Sequence, residues 1–264
     1  ETLSDAEKKL SRWKAAMGSH AAHGVTENDI RDYLDTLDIG PTAKDNHRRY
    51  ISMAYKWAGR DKGMLSGIEN PATFRMPAAP NTIPKIFTPE ETDKLMRDAA
   101  EYKPDLVPFF AITAFAGIRP EEARRLTWED IKLDRKGIEV SAEASKTHSP
   151  RIVKMPDNLH TWLSGYRDKP LALSVSSLTR YRRDMLKRTG LSWAKDICRH
   201  SFATYHAALY GMDETASQLG HTSTHVLHKH YKGLIHNRKD AARKYFAIAP
   251  AKADGKVIDL PAAG

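Results

Sequence analysis

The sequence predicts a mainly α-helical protein of two domains, the second of which also contains a small antiparallel β-sheet. Apolar residues recur at steps of three and four before residue 66 and again after residue 85, as on the buried face of a helix. Alternation of apolar and polar residues, which is typical of strands, is confined to residues 131–156. Four prolines within residues 71–85 disfavour helix and separate the two regions.

The first region predicts three helices in succession. A capping-box pattern at residues 4–7 opens the first helix, and Thr26 stands where it would cap the second. The third helix is expected over about residues 42–58, after the break at Gly40 and Pro41.

The domain boundary is predicted near residue 84, at the end of the linker of residues 71–85. Thr88 and Pro89 then start a helix, because threonine caps free N–H groups and proline is favoured at the first helical position. We therefore expect a helical domain over residues 1–84, a second domain over 85–247 and a C-terminal tail over 248–264.

The 264-residue chain is basic, and most of its excess positive charge lies in the second domain. Lys and Arg number 42 against 33 Asp and Glu, which is a formal net charge of +9. Residues 1–85 contain 13 basic and 11 acidic residues, whereas the remainder contains 29 and 22. This balance favours a polyanion such as nucleic acid as partner, although a generic basic protein has the same property.

The single cysteine and the absence of long apolar runs bear on the compartment. Cys198 has no second cysteine to pair with, which fits a reducing cytoplasm. Its apolar surroundings predict a buried side chain rather than a nucleophile. No apolar run is long enough to span a membrane, and no signal-peptide pattern opens the chain. We therefore expect a cytoplasmic protein without a membrane partner.

One stretch, from Arg199 to Tyr231, contains the groups needed to attack a phosphodiester through a tyrosine. The Arg199 guanidinium can clamp two phosphate oxygens in a bidentate fork. The His221 imidazole can donate a hydrogen bond to charge growing on the phosphoryl group. The phenol of Tyr231 is the candidate nucleophile, and its reference pKa of about 10 requires activation by its surroundings. An arginine, a histidine and a tyrosine also occur this close by chance in many helical domains.

A second stretch, upstream of the first, supports the interpretation of residues 199–231 as a catalytic stretch. It contains Gly117, Ile118, Arg119, Glu122, Leu126, Trp128, Asp130 and Ile131. The downstream stretch contains Arg199, His200, Ser201, Phe202, Ala203 and Thr204, then Leu219, Gly220 and His221, then Tyr231. In this order and spacing, the three motifs resemble those of the tyrosine recombinase (phage integrase) family. The resemblance is strong over residues 110–231 and loose over residues 1–84.

The resemblance implies a helical, SAM-like core-binding domain followed by an α+β tyrosine recombinase catalytic domain. It implies that Arg119 points at the scissile phosphate and that Glu122 orients Arg119 from behind. The alternative is a purely structural ion pair of Arg119 with Glu122 or Asp130, because an arginine that leaves an apolar helix end needs an anion.

The resemblance also assigns roles to residues in the predicted sheet and after it. Lys146 lies just before a hairpin turn, where the family has the lysine that acts as general acid to the leaving 5′ oxygen. Lys154 is the nearest alternative, and a turn lysine is otherwise usually solvated. His221 corresponds to the histidine that hydrogen-bonds a non-bridging phosphate oxygen, and Tyr231 to the nucleophile. Tyr205 and Tyr210, on the helix after Arg199, are expected in the core instead.

The chain departs from the family pattern at two places. Asp196 stands three residues before Arg199, where the family usually has histidine. An aspartate cannot donate a proton as imidazolium does, so it would orient Arg199 or Lys146, accept the tyrosine proton, or slow or abolish catalysis. Tyr231 follows His221 by ten residues, one more than the family spacing we expect.

Basic residues on two predicted helices are candidate DNA contacts, with an ordinary solvated face as the alternative. Such contacts to phosphates give affinity and register rather than sequence reading. The candidates in the first domain are Arg48, Arg49, Lys56 and Arg60, and those in the second domain are Arg180, Arg183 and Lys187.

The implied reaction is a transesterification that needs no ATP, metal or other cofactor. Tyr231 would form a 3′-phosphotyrosyl link, and the hydroxyl of another strand would reverse the step on a new partner. The sequence has no P-loop and no zinc-ligand spacing. The histidines at 221, 225, 228 and 230 are dense enough to suggest a metal, but no other ligand set accompanies them.

The expected partners are double-stranded DNA and further copies of the chain, as a dimer on each site and a tetramer in the synapse. A nucleoid-associated location in the cytoplasm follows. The segment after Tyr231 is expected to dock on a neighbouring subunit. Two other readings remain open: a type IB topoisomerase-like enzyme with the same chemistry, and a DNA-binding homologue in which Asp196 and the altered tyrosine spacing have impaired catalysis.

Overall fold

The computed structural model describes residues 2–77, 83–144, 150–171, 173–220 and 238–251. By its internal contacts the chain divides into two compact units, residues 1–81 and 82–264. The described residues are mainly helical and include one three-stranded antiparallel sheet, which confirms the predicted fold class. Within these ranges no helix is both long enough and apolar enough to cross a bilayer.

The first unit is built from three α-helices. They are α1 (Thr2–Met17), α2 (Glu27–Thr36) and α3 (Pro41–Lys56). As predicted, Thr26 caps α2, and its capping box is completed by Asp29. The predicted third helix does not continue regularly to residue 58, because α3 passes into a π-helical turn at Trp57–Asp61.

The first unit has its own small core between α2 and α3. It contains Ile30, Tyr33, Leu34, Ile51, Tyr55 and Ala72. Ala72 is fully buried, and the Phe74 ring lies under the guanidiniums of Arg31 and Arg48. The first half of the predicted linker therefore packs on the helices that precede it.

The second unit contains the remaining helices and the sheet. Its helices are α4 (Pro89–Tyr102), α5 (Val107–Phe115), α6 (Pro120–Ala123), α7 (Asp157–Gly165), α8 (Val175–Thr189), α9 (Ile197–Tyr210), α10 (Met212–Leu219) and α11 (Lys239–Phe246). Thr88 caps α4 with Pro89 in its first turn, as the sequence predicts. Gly190 ends α8 with a φ of +68°, a left-handed conformation that glycine adopts without steric cost.

The sheet lies between α6 and α7 along the chain. Its strands are β1 (Ile131–Lys132), β2 (Gly137–Val140) and β3 (Arg151–Lys154), in the order β1-β2-β3. Ile138 pairs with both Ile131 and Val153, and these three side chains are buried on one face. The predicted strands are confirmed, although each is shorter than its alternating pattern.

The core of the second unit is centred on α5, every residue of which is buried. The last described helix, α11, packs on the same core in this chain. Tyr245 is fully buried, stacks on Tyr205 at a centroid distance of 4.4 Å and donates its hydroxyl to the Ala114 carbonyl at 2.6 Å. Trp162 Nε1 donates to the carbonyl of Ile248 at 3.0 Å. The beginning of the predicted tail is therefore part of the folded unit.

Candidate active site

A sharp turn after α5 places Arg119 at the surface of the second unit. Gly117 has a φ of +62°, and a Cβ atom there would lie 2.3 Å from the Phe202 ring and 2.8 Å from Leu219. Only glycine combines this conformation with so close an approach. Arg119 then caps the short helix α6, which has Pro120 in its first turn. The turn is thus wedged against α9 and α10.

Glu122 anchors Arg119 from inside the protein. The Glu122 side chain is fully buried, and its Oε1 accepts a hydrogen bond from Arg119 Nη1 at 3.1 Å. Its Oε2 faces the backbone N–H of Arg119 at 3.4 Å. The Arg119 side chain itself is 23% exposed, so part of the guanidinium faces solvent. Asp130, the alternative partner, instead accepts from Thr127 in a capping box.

A second arginine, Arg151, reaches the same carboxylate from the sheet. Arg151 is the first residue of β3, and its Nη2 donates to Glu122 Oε2 at 2.6 Å. Its side chain is only 12% exposed. Arg151 was not among the predicted site residues, because 29 positions separate it from Glu122 and none of the three motifs includes it. The available signal was a basic residue at the strand end that adjoins the predicted hairpin.

Arg199 connects two turns of the chain. It lies in the first turn of α9, is 7% exposed, and donates from Nη1 to the Gly117 carbonyl and from Nη2 to the Leu219 carbonyl at 2.9 Å. These two carbonyl acceptors fix the orientation of the guanidinium. Arg199 therefore links the turn before Arg119 to the end of α10.

The end of α10 leads directly to the predicted histidine. Gly220 ends the helix with a φ of +64°, and a Cβ atom there would lie 2.8 Å from Arg151 Cδ and 2.9 Å from its Nε. The Gly220 turn thus lies against Arg151, while Arg199 holds the carbonyl of Leu219. Three arginines, a buried glutamate and the last residue before His221 form one cluster.

Three of the five predicted catalytic residues, Lys146, His221 and Tyr231, lie outside the described residues. Val140 pairs with Arg151, so β2 ends and β3 begins at the same edge of the sheet. Lys154, the alternative to Lys146, is 78% exposed, and its ammonium group pairs with Glu214 at 2.7 Å.

Asp196 occupies an unusual backbone position just before α9. Its φ is +55°, a left-handed conformation that is uncommon outside glycine but tolerated by aspartate, asparagine and histidine. The half-buried side chain caps no helical N–H group. It lines a cavity of about 230 Å³ together with Arg199, Lys195, Arg182 and Trp193. Asp196 and Arg199 therefore line the same cavity, whose walls are mainly apolar.

The tyrosines described near the site are poor nucleophiles. Burial raises the pKa of Tyr205 and of Tyr245, which favours their neutral form. Tyr210 was expected in the core, but it is 59% exposed, and that expectation is wrong. It lies about 16 Å along α9 from Arg199 at the usual helical rise of about 1.5 Å per residue.

The candidate DNA contacts differ in solvent exposure and in their partners within the protein. Arg49, Lys56 and Arg60 in the first unit are exposed, as are Arg180, Arg183 and Lys187 on α8. Arg183 pairs with Asp184 at 3.1 Å. Arg48 is held inward, because its Nε donates to Asp45 at 2.8 Å and its Nη1 to the Ala72 carbonyl at 2.6 Å.

The described residues hold no group of three His, Cys, Asp or Glu side chains that could bind a metal ion. The four clustered histidines of the sequence analysis lie outside the described ranges. Cys198 is buried, as expected, and burial raises the pKa of its thiol to about 12. Such a thiol is not ionised near neutral pH and is a poor nucleophile.

Known proteins are similar to the chain in sequence and in fold. No protein-family model matches the chain. Its sequence is 27% identical over 194 residues to tyrosine recombinase XerA of Thermococcus onnurineus, a match that covers 67% of this chain and 68% of that protein. A lambda integrase dimer bound to a COC′ core site matches with a TM-score of 0.68 at 19% identity, over 85% of this chain and 89% of that chain.

A lambda integrase tetramer bound to a Holliday junction matches with a TM-score of 0.66 at 19% identity, over 85% of this chain and 72% of that chain. At this identity the structural matches establish the fold, while the XerA match extends the likeness to the sequence. The resemblance of the chain to the tyrosine recombinase family is thereby confirmed.

Proposed function

We propose that the chain is a site-specific DNA recombinase that breaks and rejoins DNA through a 3′-phosphotyrosyl intermediate on Tyr231. The observation that carries this proposal is the cluster of Arg119, Glu122 and Arg199. Two guanidiniums are brought to adjoining turns, one of them partly open to solvent, and both are oriented by fixed acceptors. Oriented guanidiniums at the surface of a basic protein are suited to a phosphodiester.

The chemistry follows from the roles of these residues. The hydroxyl of Tyr231 gives up its proton to water, its oxygen attacks the phosphorus, and the bond from phosphorus to the 5′ oxygen breaks. Lys146 gives a proton to that oxygen, which leaves as a free 5′ hydroxyl. Arg119, Arg199 and His221 stabilise the charge on the non-bridging oxygens. A 5′ hydroxyl from another strand then attacks the phosphotyrosine and releases Tyr231.

The two units divide the work on DNA. The helical unit, with Arg49, Lys56 and Arg60 exposed, clamps the duplex through its phosphates, and the second unit performs the reaction. On α8, Arg180 and Lys187 add backbone contacts. The similar lambda integrase structures contain a dimer on a core site and a tetramer on a Holliday junction, which supports the same assemblies here. A DNA substrate supports a location in the cytoplasm with the nucleoid.

A covalent adduct tests the proposal directly. A nicked suicide duplex that the protein binds loses the short strand with the new 5′ hydroxyl, so the protein–DNA adduct accumulates. We expect an adduct with the wild-type protein and none with Tyr231→Phe. Tyr210→Phe is the matched control, because Tyr210 is exposed and distant from Arg199. An adduct that survives Tyr231→Phe would disprove the assignment of the nucleophile.

A second candidate function is a DNA-binding homologue without catalysis, and Asp196 is the observation that favours it. The variant Asp196→His separates the two, because histidine also tolerates the left-handed backbone at this position. If the chain is an active recombinase, the wild type forms the adduct without this change. If only Asp196→His forms it, on DNA that both proteins bind, the natural chain is the silent homologue.

A further inference from the structure

The buried carboxylate of Glu122 is shared by two arginines from different parts of the fold. Arg119 Nη1 approaches Oε1 at 3.1 Å from the start of α6, and Arg151 Nη2 approaches Oε2 at 2.6 Å from the start of β3. One guanidinium balances the charge of one buried carboxylate. With two, this group of three side chains keeps a net positive charge, although it lies mostly inside the protein.

Arg151 is more buried than a typical surface cation, and one of its hydrogen-bond donors lacks an acceptor among the described residues. Its side chain is 12% exposed, and its Cδ and Nε lie against Gly220. The Nε atom is buried, and no acceptor for it exists in the part of the chain that the structure describes. A buried donor without a partner costs about 1–3 kcal/mol, so its retention calls for a reason beyond stability.

We propose that Arg151 is a positioning residue of the DNA cleavage reaction, acting on the scissile phosphate through Glu122 and Arg119. This inference rests on the proposed function. Arg151 takes up part of the negative charge of Glu122, so that the Arg119 guanidinium keeps more of its own charge for the phosphate. It also fixes the Gly220 turn, from which the chain continues to His221.

The effect of removing Arg151 follows from this sharing. Without its guanidinium, more of the negative charge of Glu122 falls on Arg119, and Arg119 attracts a phosphate less strongly. The Gly220 turn also loses the side chain against which it packs. The reaction should therefore slow, whereas DNA affinity, which depends on many exposed cations, should change little.

The test compares wild type, Arg151→Gln, Arg151→Lys and the control Arg135→Gln on the suicide duplex. Arg135 lies in the turn between β1 and β2, and its side chain is 79% exposed. We expect Arg151→Gln to slow adduct formation by about 10- to 100-fold, with Arg151→Lys intermediate and Arg135→Gln unchanged. The dissociation constant for DNA should stay within about twofold in all four proteins.

A neutral substrate distinguishes this role from a loss of folding. A methylphosphonate at the cleaved position replaces one non-bridging oxygen by methyl and removes the negative charge of the phosphate. If Arg151 acts through the charge of Arg119, the defect of Arg151→Gln shrinks to about threefold or less on this duplex. An equal defect on both substrates would mean that Arg151 only supports the structure, and would overturn the inference.

A measurement without catalysis keeps the inference separate from the proposed function. The side-chain Nε–H signal of Arg119, followed by NMR in the free protein, reports its pairing with Glu122. Arg151→Gln should shift this signal, as Glu122→Gln does, whereas Arg135→Gln should not. An unmoved Arg119 signal in Arg151→Gln overturns the coupling. A wild type that forms no adduct while the signal shifts refutes the recombinase proposal and leaves the coupling supported.

Discussion

Two buried carboxylates in the second unit are paired in opposite ways. Asp98 on α4 accepts two hydrogen bonds from Arg188, at 2.9 and 2.8 Å, and one from the hydroxyl of Tyr181 at 2.6 Å. One arginine and one neutral phenol thus surround it. Glu122, by contrast, holds two arginines. The first cluster has balanced charge, whereas the second has an excess of positive charge.

The pKa values of the Asp98 cluster agree with its balanced charge. Burial by itself would raise the pKa of Asp98, but the hydrogen bonds from Arg188 and Tyr181 outweigh burial and hold that pKa below its usual value. Burial and the Asp98 carboxylate raise the pKa of Tyr181. All three groups are stabilised in their resting protonation states and join α4 to α8. The comparison indicates that the balanced Asp98 cluster stabilises the packing of α4 against α8. The Glu122 cluster, with its excess positive charge, is suited to binding an anion.

The largest expected effect comes from the cluster with excess charge. Arg119→Gln should slow formation of the covalent DNA adduct by about 100- to 1,000-fold, because it removes a charged donor from the phosphate. Its stability to urea should change little, since Glu122 keeps Arg151 and the Arg119 side chain is partly exposed. Single-turnover cleavage and urea unfolding measure the two effects.

Arg188→Gln is the control for this prediction, because it removes an arginine from the balanced cluster. It should lower the urea midpoint and leave the cleavage rate of the folded protein unchanged. If Arg188→Gln slowed cleavage as much as Arg119→Gln, with both proteins folded, the two clusters would not differ in role.

The next effect is on stability. Asp98→Asn should reduce the free energy of unfolding by about 3 kcal/mol, because Arg188 and Tyr181 lose a charged acceptor in a mostly buried place. Asp93→Asn on the same helix is the matched control, since Asp93 pairs with Arg97 near solvent and such pairs contribute about 0.2–1 kcal/mol. Equal losses in the two variants would contradict a special role for the Asp98 cluster.

How far the sequence predicts the site depends on the distance between partners along the chain. Arg119 and Glu122 are three residues apart on one short helix, so their pairing follows from local spacing. Arg199 follows from its motif, although its bonds to the carbonyls of Gly117 and Leu219 do not. Arg151 reaches Glu122 only through the fold of the sheet. The alternating pattern predicts the strand, but it does not predict the tertiary contacts of the strand's first residue.

The helices were predicted better than the exposure of individual side chains. Apolar spacing and caps locate α2, α4 and α8, because these signals are local. Tyr210 was expected in the core, but it stands at the last turn of α9, where the helix extends beyond its packing partners. Arg48 was grouped with exposed cations, but Asp45 and the Ala72 carbonyl draw it inward. The Ala72 acceptor lies 24 residues from Arg48, so the local sequence around Arg48 does not reveal it.

His206 provides a third case, in which a titratable group is buried without a charge bonded to it. It lies on α9 at 5% exposure, with Nδ1 2.7 Å from the hydroxyl of Thr215 on α10. That hydroxyl donates to the Gly211 carbonyl, so Nδ1 is the donor to Thr215. Burial lowers the pKa of His206 to about 4, against an ordinary value of 6.5.

The smallest of the three expected effects is a pH dependence of stability, and it follows from the lowered pKa of His206. The unfolded chain takes up the His206 proton first as the pH falls, so stability is lost between about pH 6.5 and pH 4. From pH 7 to pH 5 the loss should be about 2 kcal/mol. Urea unfolding of wild type and His206→Asn at both values measures it, because the variant cannot titrate there and should lose less. If wild type and His206→Asn lost the same stability between pH 7 and pH 5, titration of the buried His206 would not be the cause of the loss.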